Sequence, residues 1–132
     1  MSSERFSYFL RVRYGECDAQ KVVFNSRYGE YVDLAVAEFL RALGYEKEIQ
    51  TAELDYQLVK QTTEWRAPAR FDQVLEISVA TKHLGTTSFT LQIDFRIASS
   101  AAASSGATSS DATSSDAIIV AVETVYVHVD TH

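Results

Sequence analysis

The run from Ser26 to Leu43 sets Tyr28, Tyr31, Val32, Ala35, Val36, Phe39, Leu40 and Leu43 at spacings of three and four. That period draws one wide apolar stripe along an α-helix. At about 1.5 Å per residue such a helix is about 27 Å long, enough to cross a small sheet. Its ends are marked: Asn25 or Ser26 suits the N-cap, Glu30 the first turns, Arg41 the last turn and Gly44 the left-handed position beyond it. No other segment reads as a strong helix, so whatever buries this stripe is built from something else.

The rest of the chain offers strands. Phe6, Tyr8, Leu10, Val12 and Tyr14 alternate with mostly polar neighbours over Phe6 to Tyr14, the period of two of a half-buried strand. Further strand-like stretches run from Leu54 to Arg66, Val74 to His83, Thr87 to Ile97 and Ile118 to Val129. Pro68 separates the first two of these, and Gly85 with Thr86 suits a tight hairpin between the next two. The order is strand, helix, then four strands. Short connections predict an antiparallel meander for the later strands, with the helix against the sheet's concave face. The class is α+β.

At 132 residues the expectation is a single domain spanning 1–132. Residues 98–117 are all Ala, Ser, Thr, Gly or Asp, with ATSSD twice in tandem. No core can be built from them, and they read as a low-complexity loop without assigned function. Eighteen acidic against twelve basic residues give a net charge of −6, which opposes a nucleic-acid partner. No apolar run approaches the ~20 residues of a membrane span. One cysteine, Cys17, and a start unlike a secretory signal point to a reducing cytoplasm.

Chemistry concentrates between Arg13 and Gly29, where a strand passes through a polar turn into the helix. Asp18 stands close to a helix N-terminus, whose unpaired N–H groups can polarise a carbonyl and hold an oxyanion. A carboxylate beside it can attack the carbonyl carbon or deprotonate a water that does. Those two parts suffice for acyl transfer, most readily from a thioester, whose thiolate leaves easily. Asp18 could equally close an Asx turn. Cys17 could be a nucleophile or a small buried hydrophobe, and Glu38 a helix-centre carboxylate or a solvated one. Glu64 could line a pocket or pair with Arg66 or Arg70. Tyr8, Tyr28, Tyr31, Phe39 and Trp65 could form an aromatic acyl pocket or plain core. His83, His128 and His132 show no metal-ligand spacing, and HExxH, GxSxG, GxGxxG and CxxC are absent from the sequence.

The segment YGECDAQKVVFNSRYGEYVDLAVAEFLRALG resembles the 4-hydroxybenzoyl-CoA thioesterase and YbgC-like group of hotdog-fold acyl-CoA thioesterases. There, a strand ends in an aromatic–x–x–x–Asp turn, runs through a short apolar segment and enters the central helix at x–x–Tyr; here these are Tyr14, Asp18, Val22 to Phe24, and Tyr28. The similarity extends through Glu64, Trp65, Phe71 and Asp72. It implies a hotdog fold, a homodimer or homotetramer with the active site at a subunit interface, and hydrolysis of an acyl-CoA with no metal and no cofactor beyond the substrate's own coenzyme A. On that resemblance Asp18 is nucleophile or general base and the Asn25 N–H binds the thioester oxygen. Tyr14, Val23, Phe24, Ser26, Tyr28, Trp65 and Lys82 would contact substrate. The chain departs from many relatives at Gln20, Lys21 and Asn25, where they carry glycine and His or Tyr. It also lacks basic residues in the hairpin at Gly85 to Thr87, leaving Lys82, His83, Lys60 and Arg66 as substitutes toward the phosphates. The alternative is a non-catalytic hotdog module that binds an acyl-CoA or a protein. A hotdog dehydratase ranks last, since it would need a His near the helix start and none precedes His83.

Overall fold

The computed structural model describes residues 6–45, 47, 56–99 and 117–128. The tandem ATSSD repeat and most of the low-complexity stretch lie outside the described residues, as do the expected strand ends at Leu54 and Val129. In chain order the elements are β1 (Phe6–Arg11), a 3₁₀ turn (Tyr14–Glu16), α1 (Arg27–Ala42), β2 (Tyr56–Trp65), β3 (Val74–Leu84), β4 (Ser88–Ser99) and β5 (Ile118–His128). The strands form one antiparallel sheet in the order β1-β3-β4-β5-β2.

The stripe on α1 buries as its spacing demands: Tyr28, Tyr31, Val32, Ala35, Val36, Phe39 and Leu40 are all inside. Opposite them the alternating faces of the central strands supply Leu75, Ile77 and Val79 from β3, Leu91, Ile93 and Phe95 from β4, and Val120 and Val122 from β5. Phe95 meets both Tyr28 and Tyr31, its ring centroid 5.5 Å from the first, and Phe6 meets Phe39 edge-on. The helix therefore lies across one face of the sheet. Among the described residues no helix is long and apolar enough to cross a membrane.

The helix stops where glycine allows it. Gly44 has φ +94°, its N–H donates to Arg41 O at 3.0 Å, and the Tyr45 N–H reaches back to Leu40 O at 3.0 Å. Together these form a Schellman cap, satisfying carbonyls the helix would leave open. A Cβ at position 44 meets no neighbour but must adopt the left-handed conformation. Gly44→Ala is expected to lower stability by about 1 kcal/mol, read as a denaturation midpoint shift at unchanged m-value. At the other end Ser26 occupies the N-cap position with helical φ and ψ and makes no side-chain cap bond. The chain already turns before it, through the Arg27 N–H to Phe24 O bond of 3.0 Å, so neither Asn25 nor Ser26 caps through its side chain.

Two expectations need correction. β1 ends at Arg11 rather than Tyr14, because the Arg13 N–H is drawn to the Glu16 carboxylate at 3.0 Å, folding the chain into the 3₁₀ turn. The four later strands are also not a simple meander: β3, β4 and β5 follow one another, but β2 lies at the sheet edge against β5. After Trp65 the N–H groups of Arg66 and Ala67 both donate to Ile119 O, at 2.8 and 3.1 Å, and Pro68 has no N–H with which to extend a ladder. The connection then passes the start of α1, where the Ala69 N–H donates to the Tyr28 hydroxyl at 3.1 Å. It docks beside β1 through Val12, Asp72 and Gln73 before β3 begins. That crossover brings residues 65–70 to the helix N-terminus.

Candidate active site

The turn after β1 is held from both sides. The Asp18 N–H donates to Val22 O at 2.9 Å and the Lys21 N–H to Asp18 O at 2.9 Å, closing a four-residue turn. Lys21 completes it at φ +67°, a conformation glycine adopts without steric cost; a lysine fills it here, with its ammonium 5.7 Å from the Tyr14 ring centre. Cys17 pairs with Val23, and Val22 pairs with Arg70, so the turn is stitched to the crossover. The Val23 N–H to Ala69 O bond, 2.9 Å, adds a third tie.

Beneath the turn lies a buried carboxylate that the sequence reading did not single out. Glu16 is 5% exposed. Its Oε1 accepts the Arg13 N–H at 3.0 Å and the Tyr31 hydroxyl at 2.7 Å, while Oε2 accepts the Arg13 guanidinium. Its own carbonyl receives the Phe24 N–H at 3.1 Å. One residue thus ties the end of β1, the approach to the helix and the helix itself. Burial works to raise the Glu16 pKa, but the Arg13 and Tyr31 hydrogen bonds and the Arg13 charge prevail and hold it below the usual range. Burial, then Glu16, pushes the Tyr31 phenol far up, so it stays a donor. Tyr31 standing 15 residues on, on the buried stripe, is the one signal from which the pairing could have been guessed.

Asp18 sits at the rim of a pocket of about 450 Å³ whose other walls include Val23, Phe24, Asn25, Tyr28 and Trp65. Six of the nine sequence-predicted site residues therefore meet in one place. The Asp18 carboxylate does close an Asx-type turn, since Oδ1 accepts the Gln20 N–H at 2.8 Å and the Val22 N–H at 3.4 Å. Both of these bonds fall on Oδ1, which leaves Oδ2 for a ligand. The structural and the chemical reading of this aspartate thus use different oxygens. Ahead of the helix, the Asn25 N–H has no acceptor among the described residues, the condition for an oxyanion donor.

The remaining candidates fall elsewhere. Tyr14, Ser26 and Lys82 are not among the pocket walls. Tyr14 is 66% exposed and packs edge-on against Phe71. Lys82 pairs with Glu123 at 3.3 Å, and Glu123 alternates with the buried Val122 and Thr124, so this pair lies on the sheet face away from the helix. Of the aromatic set, Tyr31 and Phe39 are core. Glu64 pairs with Arg66 at 2.7 Å and Glu38 with Arg41 at 3.3 Å, both on exposed surface. Burial, with the Glu16 and Asp18 charges, pushes the Cys17 thiol up, which disfavours the thiolate that a nucleophilic role needs.

A model of the thioesterase-like superfamily matches residues 12–132. The acyl-CoA thioester hydrolase YbgC of Escherichia coli is 33% identical over 96 residues, covering 70% of this chain and 72% of that protein. A crystal structure of a hypothetical protein from Aquifex aeolicus superposes with a TM-score of 0.76 at 25% identity, over 94% of this chain and 88% of that one. In fold alone, 4-hydroxybenzoyl-CoA thioesterase from Pseudomonas sp. strain CBS-3 is similar, with a TM-score of 0.75 at 15% identity over 96% and 85% of the two chains. The chain belongs to the thioesterase-like superfamily, and is a thioester hydrolase of the hotdog fold.

Proposed function

We propose that the chain hydrolyses an acyl-CoA thioester in the pocket beside Asp18. The observation that supports this most is the convergence of a carboxylate with a free oxygen and an unengaged N–H, that of Asn25, on one cavity. The thioester carbonyl oxygen points at the Asn25 N–H, which strengthens its hold as negative charge grows there. One such donor is worth about 3 to 4 kcal/mol in the transition state. Asp18 acts in one of two ways. Its Oδ2 adds to the carbonyl carbon, the C–S bond breaks, coenzyme A leaves as thiolate, and water hydrolyses the resulting anhydride to restore the carboxylate. Alternatively Oδ2 takes a proton from a water that adds to the same carbon, and the C–S bond then breaks as coenzyme A leaves as thiolate.

Val23, Phe24, Tyr28 and Trp65 would shape the acyl site, with Ser26 and Tyr14 near its approaches. No metal or additional cofactor enters this scheme. The working unit is a homodimer or homotetramer: among the described residues β2 leaves one edge of the sheet unpaired and exposes Leu58, Val59 and Trp65, features that invite a second strand. Trp65 is at once a pocket wall and 49% exposed, so a second copy on that edge would help close the cavity. A reducing, cytoplasmic setting suits the lone thiol of Cys17.

Release of free thiol from acyl-CoA by two variants tests this assignment. Cys17→Ala is expected to stay within about threefold of the parent, because the protonated thiol takes no part, whereas Asp18→Asn is expected to lose turnover. The reverse outcome would transfer the nucleophilic role to Cys17.

A further inference from the structure

Hydrolysis as proposed needs the Asp18 carboxylate and the Asn25 N–H at a fixed separation, because a misplacement of about 1 Å can cost about a hundredfold in rate. The two groups come from different pieces of chain. Asp18 belongs to the turn after β1, and Asn25 to the approach to α1, between Phe24 and Ser26, all three exposed. No side-chain cap holds that approach, since Ser26 makes no cap bond, and Asn25 O receives the Tyr28 N–H only at 3.4 Å. The firmer tie is to Glu16. Its carbonyl accepts the Phe24 N–H at 3.1 Å, one residue before the oxyanion donor, and Glu16 stands two residues before Asp18.

Glu16 can serve as a fixed point because its side chain is buried and engaged on both oxygens. Oε1 receives the Tyr31 hydroxyl at 2.7 Å and the Arg13 N–H at 3.0 Å, and Oε2 receives the Arg13 guanidinium. The Tyr31 bond registers the turn against the buried stripe of α1, and the Arg13 bonds register it against the end of β1. The Glu16 N–H closes the 3₁₀ turn on Arg13 O at 3.0 Å. Glu16 is not among the pocket walls, so it acts through its neighbours. A glutamine at this position has one acceptor oxygen instead of two, and its amide N–H groups would face the Arg13 guanidinium.

We propose that Glu16 is a positioning residue of this site, its buried carboxylate fixing the Asn25 N–H relative to the Asp18 carboxylate. The proposal rests on the thioesterase reading, and a measurement independent of turnover separates the two. Glu16→Gln and Tyr31→Phe, each assayed at a temperature where it is fully folded, are expected to lose about tenfold in kcat for an acyl-CoA ester, with KM changed by less than about twofold. Because both act through one carboxylate, the double variant should lose no more than the larger single loss. Leu40→Ala, a core change toward the far end of α1, lowers stability away from the site and should keep the parental kcat when fully folded. Hydrogen exchange at the Phe24 amide should accelerate about tenfold in Glu16→Gln and stay parental in Leu40→Ala under conditions where local opening dominates. Parental kcat in both Glu16→Gln and Tyr31→Phe, losses that multiply in the double variant, or unaltered Phe24 exchange in Glu16→Gln would each overturn the positioning role. Faster Phe24 exchange in Glu16→Gln, with no thioester hydrolysed by the parent, would instead sustain Glu16 as the tether and defeat the thioesterase reading.

Discussion

Asp18→Asn is expected to keep the fold and lower acyl-CoA hydrolysis by at least about a hundredfold, the effect falling on kcat. The substitution is well matched to the geometry. An asparagine retains an oxygen at the Oδ1 position, so the bonds from the Gln20 and Val22 N–H groups can persist and the turn need not move. What disappears is the negative charge and the basicity of the second oxygen, which either route requires. Thermal unfolding should therefore be close to that of the parent while thiol release collapses. If turnover were unchanged, Asp18 would be a turn residue only.

The second large effect is on stability. Glu16→Ala is expected to cost about 3 kcal/mol, because it strips a buried acceptor from the Tyr31 hydroxyl and the Arg13 N–H at once. For a domain of this size that corresponds to about 10 °C in Tm. The pH dependence identifies the charge as the cause. A carboxylate whose pKa is lowered on folding adds stability that is present above its unfolded value and is lost as pH falls through its folded value. The stability gap between the parent and Glu16→Gln should be full at neutral pH and narrow below about 4.3, the usual glutamate value. A gap independent of pH from 3 to 7 would mean that packing, not the carboxylate charge, holds the turn.

Much of the architecture was legible because it is written in local periods. The three-and-four spacing from Tyr28 to Leu40, the alternation from Phe89 to Ile97 and the glycine at 44 each express geometry that neighbouring residues impose, and all three appear as expected. The place of β2 was not legible, since pairing with β5 rather than β3 is a choice between distant partners, decided by Arg66, Ala67 and Pro68 leaving the sheet. Glu16 was missed for a related reason: a charged residue in a polar turn reads as solvated, and only the arrival of Tyr31 from the helix and of Arg13 from the strand shows it to be buried and satisfied. At the site, Asp18 and Asn25 were legible from the strand–turn–helix order, and Trp65 through the family resemblance. Arg70 was legible only as a partner for Glu64, which pairs with Arg66 instead.

The account turns on catalysis in the Asp18 pocket rather than binding alone. The most direct measurement follows free-thiol release and thermal unfolding in the same samples, with the parent protein and a panel of aryl, short-chain and long-chain acyl-CoA esters. At least one ester should release thiol catalytically, in amounts far exceeding the protein, and Asp18→Asn should abolish that release while still being stabilised by the same ester. Stabilisation of the parent by acyl-CoA esters with no thiol released from any of them would contradict the account and leave a binding module in place of an enzyme.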